Sequence, residues 1–110
     1  MKTEQPLLIT SISAGADLSK NLFVSFAGVL PAADAKSLGV VNADTSSGNM
    51  APVMLAGIAL VKSSAAVSVG AAVTTDAAGK AKAVAAAEAV NGYSLDEASG
   101  PDELIRILLK

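Results

Sequence analysis

The sequence predicts an all-β fold, a small β-barrel or sandwich built from short strands. Three observations predict it. Short apolar and β-branched runs recur along the chain, among them Leu22-Phe23-Val24-Ser25-Phe26, Leu38-Gly39-Val40-Val41 and Leu104-Ile105-Arg106-Ile107-Leu108-Leu109. Clusters of Gly, Pro, Asn, Asp and Ser separate them, a spacing that suits a barrel or sandwich rather than strand–helix–strand units. The stretch from Val73 to Leu95 reads as a hairpin feeding a third strand. There Asp76-Ala77-Ala78-Gly79 forms the turn, with the Asp side chain bonding to backbone amides and the Gly supplying positive φ.

In chain order, residues 1–6 are polar and end in Pro6, which suits an arm. Leu7 to Ile12 is a strand. Two readings of it stand: an arm strand that docks on a partner, or the first strand of the barrel itself. Residues 1–21 are therefore expected as N-terminal arm and first strand, and 22–110 as one barrel-like domain. Ala16 to Lys20 is a loop or one helical turn. Phe23 and Phe26 cannot share a face of a regular strand, because same-face residues are two apart. Either one of them is exposed to a partner, or a bulge or strand end intervenes.

Ala32 to Lys36 is a loop or helical turn, and Leu38 to Val41 a strand. Asn42 to Asn49 is a polar loop. Pro52 to Leu55 and Ile58 to Val61 are expected as two strands split by Gly57. Ala83 to Val90 is alanine-rich, so its propensity favours helix, while its length makes a helix marginal. Val90 to Leu95 and Leu104 to Leu109 are strands. Two units look alike: a Gly-bearing strand at Gly39 or Gly92, an acidic and Ser-rich loop, then an apolar strand. They read as a duplication or as the ordinary recurrence of turn cues in an all-β chain.

Composition bounds the function. The chain has 110 residues and is 52% hydrophobic but only 3% aromatic, so its core is aliphatic and thin. Burial against a partner would supplement it. The net charge of -2 argues against non-specific nucleic-acid binding. The longest uncharged run, Thr45 to Val61, is broken by Gly48, Asn49, Pro52 and Gly57 and is too short to span a membrane as a helix. The start lacks the basic and apolar regions of a signal peptide, so the chain is expected to work without export.

There is no His, Cys or Trp, which removes the most versatile general base and the best thiol nucleophile. Lys62 beside Ser63 or Ser64 is a formal Ser–Lys pair, but neighbours on a strand point to opposite faces. Asp96, Glu97, Asp102 and Glu103 flank Ser99-Gly100-Pro101 without the alternating ligand spacing of a calcium loop. The isolated glycines form no phosphate cradle. No catalytic, metal or cofactor site is expected.

Residues 52–110 carry a resemblance. Gly-Ala-Ala-Val-Thr-Thr-Asp-Ala-Ala-Gly-Lys-Ala-Lys-Ala-Val from Gly70, then Val-Asn-Gly-Tyr-Ser-Leu-Asp-Glu-Ala-Ser, then the closing Leu-Ile-Arg-Ile-Leu-Leu, resembles the tailed-phage capsid cement, or head decoration, proteins. The resemblance implies a β-barrel or β-tulip-like body, made in the host cytoplasm, that sits on the outer capsid surface and reinforces the shell. It implies the major capsid protein as partner, a homotrimer, and no cofactor, nucleic acid or membrane. Leu7, Leu8, Ile9, Ile12, Phe23 and Phe26 are the residues expected at capsid or subunit contacts. The alternative is a β-rich receptor- or glycan-binding module of a phage tail or bacterial surface assembly; the scarcity of aromatic residues counts against it.

Overall fold

The computed structural model describes residues 3–109. It contains eight strands: β1 (Gln5–Ser13), β2 (Phe23–Val24), β3 (Gly39–Val41), β4 (Met50–Lys62), β5 (Ala72–Thr75), β6 (Ala81–Ala83), β7 (Gly92–Ser94) and β8 (Leu104–Leu109). No helix occurs among the described residues. Met1 and Lys2 of the expected arm lie outside them. The strands form one sheet in the order β2-β3-β4-β8-β7-β5-β6, with β1 added to β4.

β4 is the spine. Met54 pairs with Ile9 of β1 and with Val40 of β3, and Gly57 pairs with Pro6 of β1 and Leu109 of β8. Each residue of a strand has one neighbour on each side. β1 therefore lines one edge of β4, while β3 and β8 share the other, one after the other.

The two ends of the sheet meet. The Phe23 N–H on β2 donates to the Gly79 carbonyl at the tip of the β5–β6 hairpin, at 2.8 Å. Beyond β4, Ser63 forms a parallel bridge to Ala81, and the Ser64 N–H donates to the Ala81 carbonyl at 2.8 Å. The result is a small, nearly closed all-β barrel, with β1 paired to β4 alone among the strands. The hairpin turn is the one the sequence predicts. Asp76 Oδ1 accepts from the Ala78 and Lys80 amides, and Gly79 has φ 82°.

Two cores explain the near-continuous apolar runs. Phe23, Val40, Met54, Val61, Val73, Ile105 and Ile107 pack inside the barrel. Val24, Val41, Ala51 and Val53 pack on the opposite face with Ala14 and Leu18. Consecutive residues of a strand point to opposite faces. The pairs Phe23/Val24, Val40/Val41 and Met54/Val53 thus each serve both cores. A strand covered on both faces loses its polar alternation.

The segments Pro52 to Leu55 and Ile58 to Val61 are one strand, contrary to the expected split. Gly57 does not end it. Its φ of 111° makes an irregularity inside a continuous ladder, where a Cβ would lie 2.4 Å from the Gln5 carbonyl oxygen. The register of β1 against β4 shifts beside it, between Pro6 and Ile9. The inward set changes from Met54 upstream to Ala59 and Val61 downstream, the change of parity a bulge produces.

The expected strand Leu22 to Phe26 contracts to Phe23–Val24, because a turn follows in which the Gly28 N–H bonds back to the Ser25 carbonyl. Ala83 to Val90 forms no helix. The Val84 and Asn91 amides donate to Ala72 and Val73 of β5, tying both ends of the segment to the sheet. Glu88 accepts from the Ala85 and Ala86 amides, taking donors a helix would leave open. Nor do Ala16 to Lys20 form a helical turn; Leu18 there bridges to Thr45. The two similar units occupy similar settings. β3 pairs antiparallel with β4, and β7 with β8. A Cβ on Gly39 or Gly92 would meet the carbonyl of Met54 or Leu108 at 2.1 or 2.6 Å.

Candidate docking surface

The exposed apolar residues define the candidate surface, and the serines and Asp96 singled out in the sequence are engaged in structural bonds. The Ser63 hydroxyl is buried, donates to the Gly100 carbonyl and accepts from the Glu103 amide. The Ser64 hydroxyl donates to the Ala81 carbonyl. The acidic loop is not merely solvated. Asp96 accepts from Arg106 Nε and Nη2 at 3.0 and 2.9 Å. Glu103 Oε2 accepts from the Ser99 amide, the Ser99 hydroxyl and the Gly100 amide. Among the described residues no group of three carboxylates is placed to hold a metal.

Ion pairs tie the hairpin to its surroundings. Lys80 bonds to Asp102, which raises the lysine pKa and lowers that of the carboxylate. Lys82 lies 2.7 Å from Asp34, and its pKa is raised by that contact. The backbone amides of Ala85 and Ala86 hold the Glu88 carboxyl below its usual range.

Against this fixed body, β1 stands out. Its backbone pairs with β4 from Gln5 to Ser13, yet its side chains are mostly exposed. Leu7 is 81% exposed, Leu8 55% and Ile9 42%. Leu7 falls at the register shift, between Pro6 opposite Gly57 and Leu8 opposite Ala56. Ile12 is different: it is half-buried against the outer core. Phe26 is 68% exposed in the turn after β2.

Phe23 corrects an expectation. It is 0% exposed inside the barrel and offers no contact surface, because its parity on β2 turns it inward. Sequence reasoning also missed Met50, Val69 and Tyr93 as exposed apolar side chains. Tyr93 was legible in Gly92-Tyr93-Ser94, where small inward residues flank one large outward one.

A cavity of roughly 270 Å³ opens beside β4, lined by Phe26, Lys36, Leu38, Gly39, Leu55 and Leu109 among others. It sits where β3 and β8 part along their shared edge. Asn91 at its wall is committed to structure, accepting from the Ser37 amide and donating to the Ala35 carbonyl.

The family model for phage cement proteins matches residues 1–109. The chain belongs to the phage cement protein family. It is thus a structural virion protein that stabilises the phage capsid. The cement protein also shares its fold with a solved structure, the head fiber gp8.5 N base of bacteriophage phi29. The TM-score is 0.76 at 18% identity, over 94% of this chain and 93% of that one. No curated protein matches the cement protein.

Proposed function

We propose that this cement protein binds the outer surface of the mature shell through the major capsid protein, that it acts as a homotrimer, and that β1 is its principal docking element. The observation that carries the reading is the split character of β1. Its backbone is held by β4 along one edge, while Leu7, Leu8 and Ile9 face outward. A strand with a free edge and apolar side chains is a pairing hazard in a solitary protein and an asset in one that docks. Added main-chain hydrogen bonds at such an edge supply affinity. Phe26 extends the apolar surface from a separate turn. The phi29 relative is described as a head fiber base, which agrees with a place on the head.

Co-sedimentation of the purified protein with expanded and unexpanded shells tests the reading. Retention on expanded shells, weakened by Leu7→Glu with Leu8→Glu, is the expected result. Equal retention of that variant would remove β1 from the docking role. Binding to a glycan array without binding to shells would favour a receptor-binding module.

A further inference from the structure

We infer that Asn91 is a site of covalent modification, an asparagine whose deamidation the fold holds back and whose product unlatches the cavity wall. The segment 34–38 forms much of that wall, with Lys36, Ser37 and Leu38 lining it. Asn91 meets it from just before β7 and is 3% exposed. Its Oδ1 accepts from the Ser37 amide at 2.9 Å, and its Nδ2 donates to the Ala35 carbonyl at 3.0 Å. One side chain thus stands in for a strand neighbour, satisfying a donor and an acceptor two residues apart. That takes a side-chain amide, because a carboxylate only accepts. The Lys36 ammonium donates to the Val90 carbonyl at 3.1 Å, and the Ala89 amide to the Asp34 carbonyl at 3.2 Å. Together these bonds hold the segment against residues 89–91.

The next position is fixed as tightly. A Cβ on Gly92 would stand 2.5 Å from Ile107 Cγ2 and 2.6 Å from the Leu108 carbonyl oxygen, so β8 admits only glycine there. The two demands together write Asn-Gly. Glycine has no side chain to shield its own nitrogen, and asparagine is a thermolabile residue. In the reaction, the Gly92 nitrogen gives its proton to a solvent base and attacks Asn91 Cγ. A C–N bond forms, the bond from Cγ to Nδ2 breaks, and Nδ2 leaves as ammonia with a proton from solvent. Water then opens the five-membered imide at either carbonyl, leaving aspartate or isoaspartate; nothing is oxidised or reduced. In the fold, swinging Cγ onto the Gly92 nitrogen pulls Oδ1 and Nδ2 away from the segment 34–38. Once converted, the side chain has no donor for the Ala35 carbonyl, and a buried acceptor left unpaired costs more than the bond lost. Isoaspartate also adds a carbon to the main chain beside β7. Asn21, Asn42 and Asn49 precede Leu22, Ala43 and Met50, so none of them shares the combination.

The test follows the full wild-type chain at mildly alkaline pH by peptide mass mapping, folded and in concentrated guanidinium. Unfolded, Asn91 should convert before Asn21, Asn42 and Asn49. Folded, its conversion should be at least about tenfold slower, because the segment must open first. Conversion in the fold at the unfolded rate would overturn the protection. An unfolded Asn91 no faster than the other three would overturn the modification site. Asn91→Asp installs the product directly. Hydrogen exchange at its Asp34 and Ala89 amides, which bond to Thr75 and Asp34, should run at least about tenfold faster than in wild type, with the amides of β8 still protected. Unchanged exchange at both amides would overturn the latch. Loss of protection along β8 as well would show Asn91 supporting the whole fold and overturn the local opening.

Discussion

Gly79→Ala probes the closure of the barrel. Gly79 has φ 82°, so an alanine there takes left-handed strain of about 1–2 kcal/mol. The added Cβ would also stand 2.8 Å from the Phe23 carbonyl oxygen, with Leu22 and Leu30 next at 3.2 and 3.3 Å. Backbone must give way there, and the hydrogen bond from Phe23 to the Gly79 carbonyl is the one that suffers. Its loss adds roughly 1 kcal/mol. The reduced freedom of the unfolded chain returns about 0.4–1 kcal/mol, which leaves a net loss of about 2 kcal/mol. Gly70→Ala is the control: its φ is also 82°, and a Cβ there meets nothing within 4 Å. It should lose only the strain, about 1 kcal/mol or less. At roughly 4–8 °C per kcal/mol for a domain near this size, thermal melts should separate the two variants by at least 4 °C. Equal melting temperatures would refute the argument that the Phe23–Gly79 contact holds the barrel shut.

Other outcomes follow from the same structure. Ile107→Ala, fully buried inside the barrel, should cost about 2–5 kcal/mol in denaturant titration; a loss under 1 kcal/mol would contradict its packing. Leu7→Glu with Leu8→Glu should leave the melt within about 0.5 kcal/mol of wild type, because both side chains are exposed, while lowering shell retention. The melting temperature should fall in acid and in alkali. The folded pKa values of Asp102 and Glu88 lie below their unfolded ones. Their contribution is present above about pH 4–5 and is lost as pH falls through the folded values. Lys80 and Lys82 are raised, so theirs is present below about pH 10 and is lost as pH rises through the folded values. Asp102→Asn should shrink both limbs, and an unchanged pH profile would dismiss the pair as a source of stability.

How much was legible depends on the range of the forces. The Asp76–Gly79 turn was readable because its bonds close within five residues. The end strand Leu104–Leu109 was readable because its burial alternates along the chain. The length of β4 was not. Gly57 looks like a break in isolation, and only β1 and β8, pairing on either side of it, carry the strand through. The alanine tract misled for the same reason, since β5 claims the amides at both its ends. Leu7, Leu8 and Ile9 were legible as an apolar run after a polar start. The difference between Phe23 and Phe26 was not, because it rests on where β2 stops. The cavity had no local signal, being assembled from segments far apart in the chain.

The magnitudes bear on why a chain like this should work in multiple copies. Leu7, Leu8 and Ile9 together expose about 1.8 side chains' worth of aliphatic surface. Complete burial would yield roughly 3–5 kcal/mol at about 1.5–3 kcal/mol per side chain. Association costs an estimated 4–15 kcal/mol in lost translational and rotational freedom. One β1 docking through these three side chains alone would therefore barely hold, and edge hydrogen bonds add only about 1 kcal/mol each. Linking copies changes the arithmetic. Once one member of an oligomer is seated, the next docks at an effective concentration near millimolar and does not bear the full cost again. In the proposed reading, a weak docking strand and self-association thus depend on each other. Point changes on β1 should accordingly reduce shell retention far more than the contact of a single copy suggests. Deleting residues 1–12 is a poorer probe, because it also strips β4 of its edge partner and takes Ile12 from the outer core.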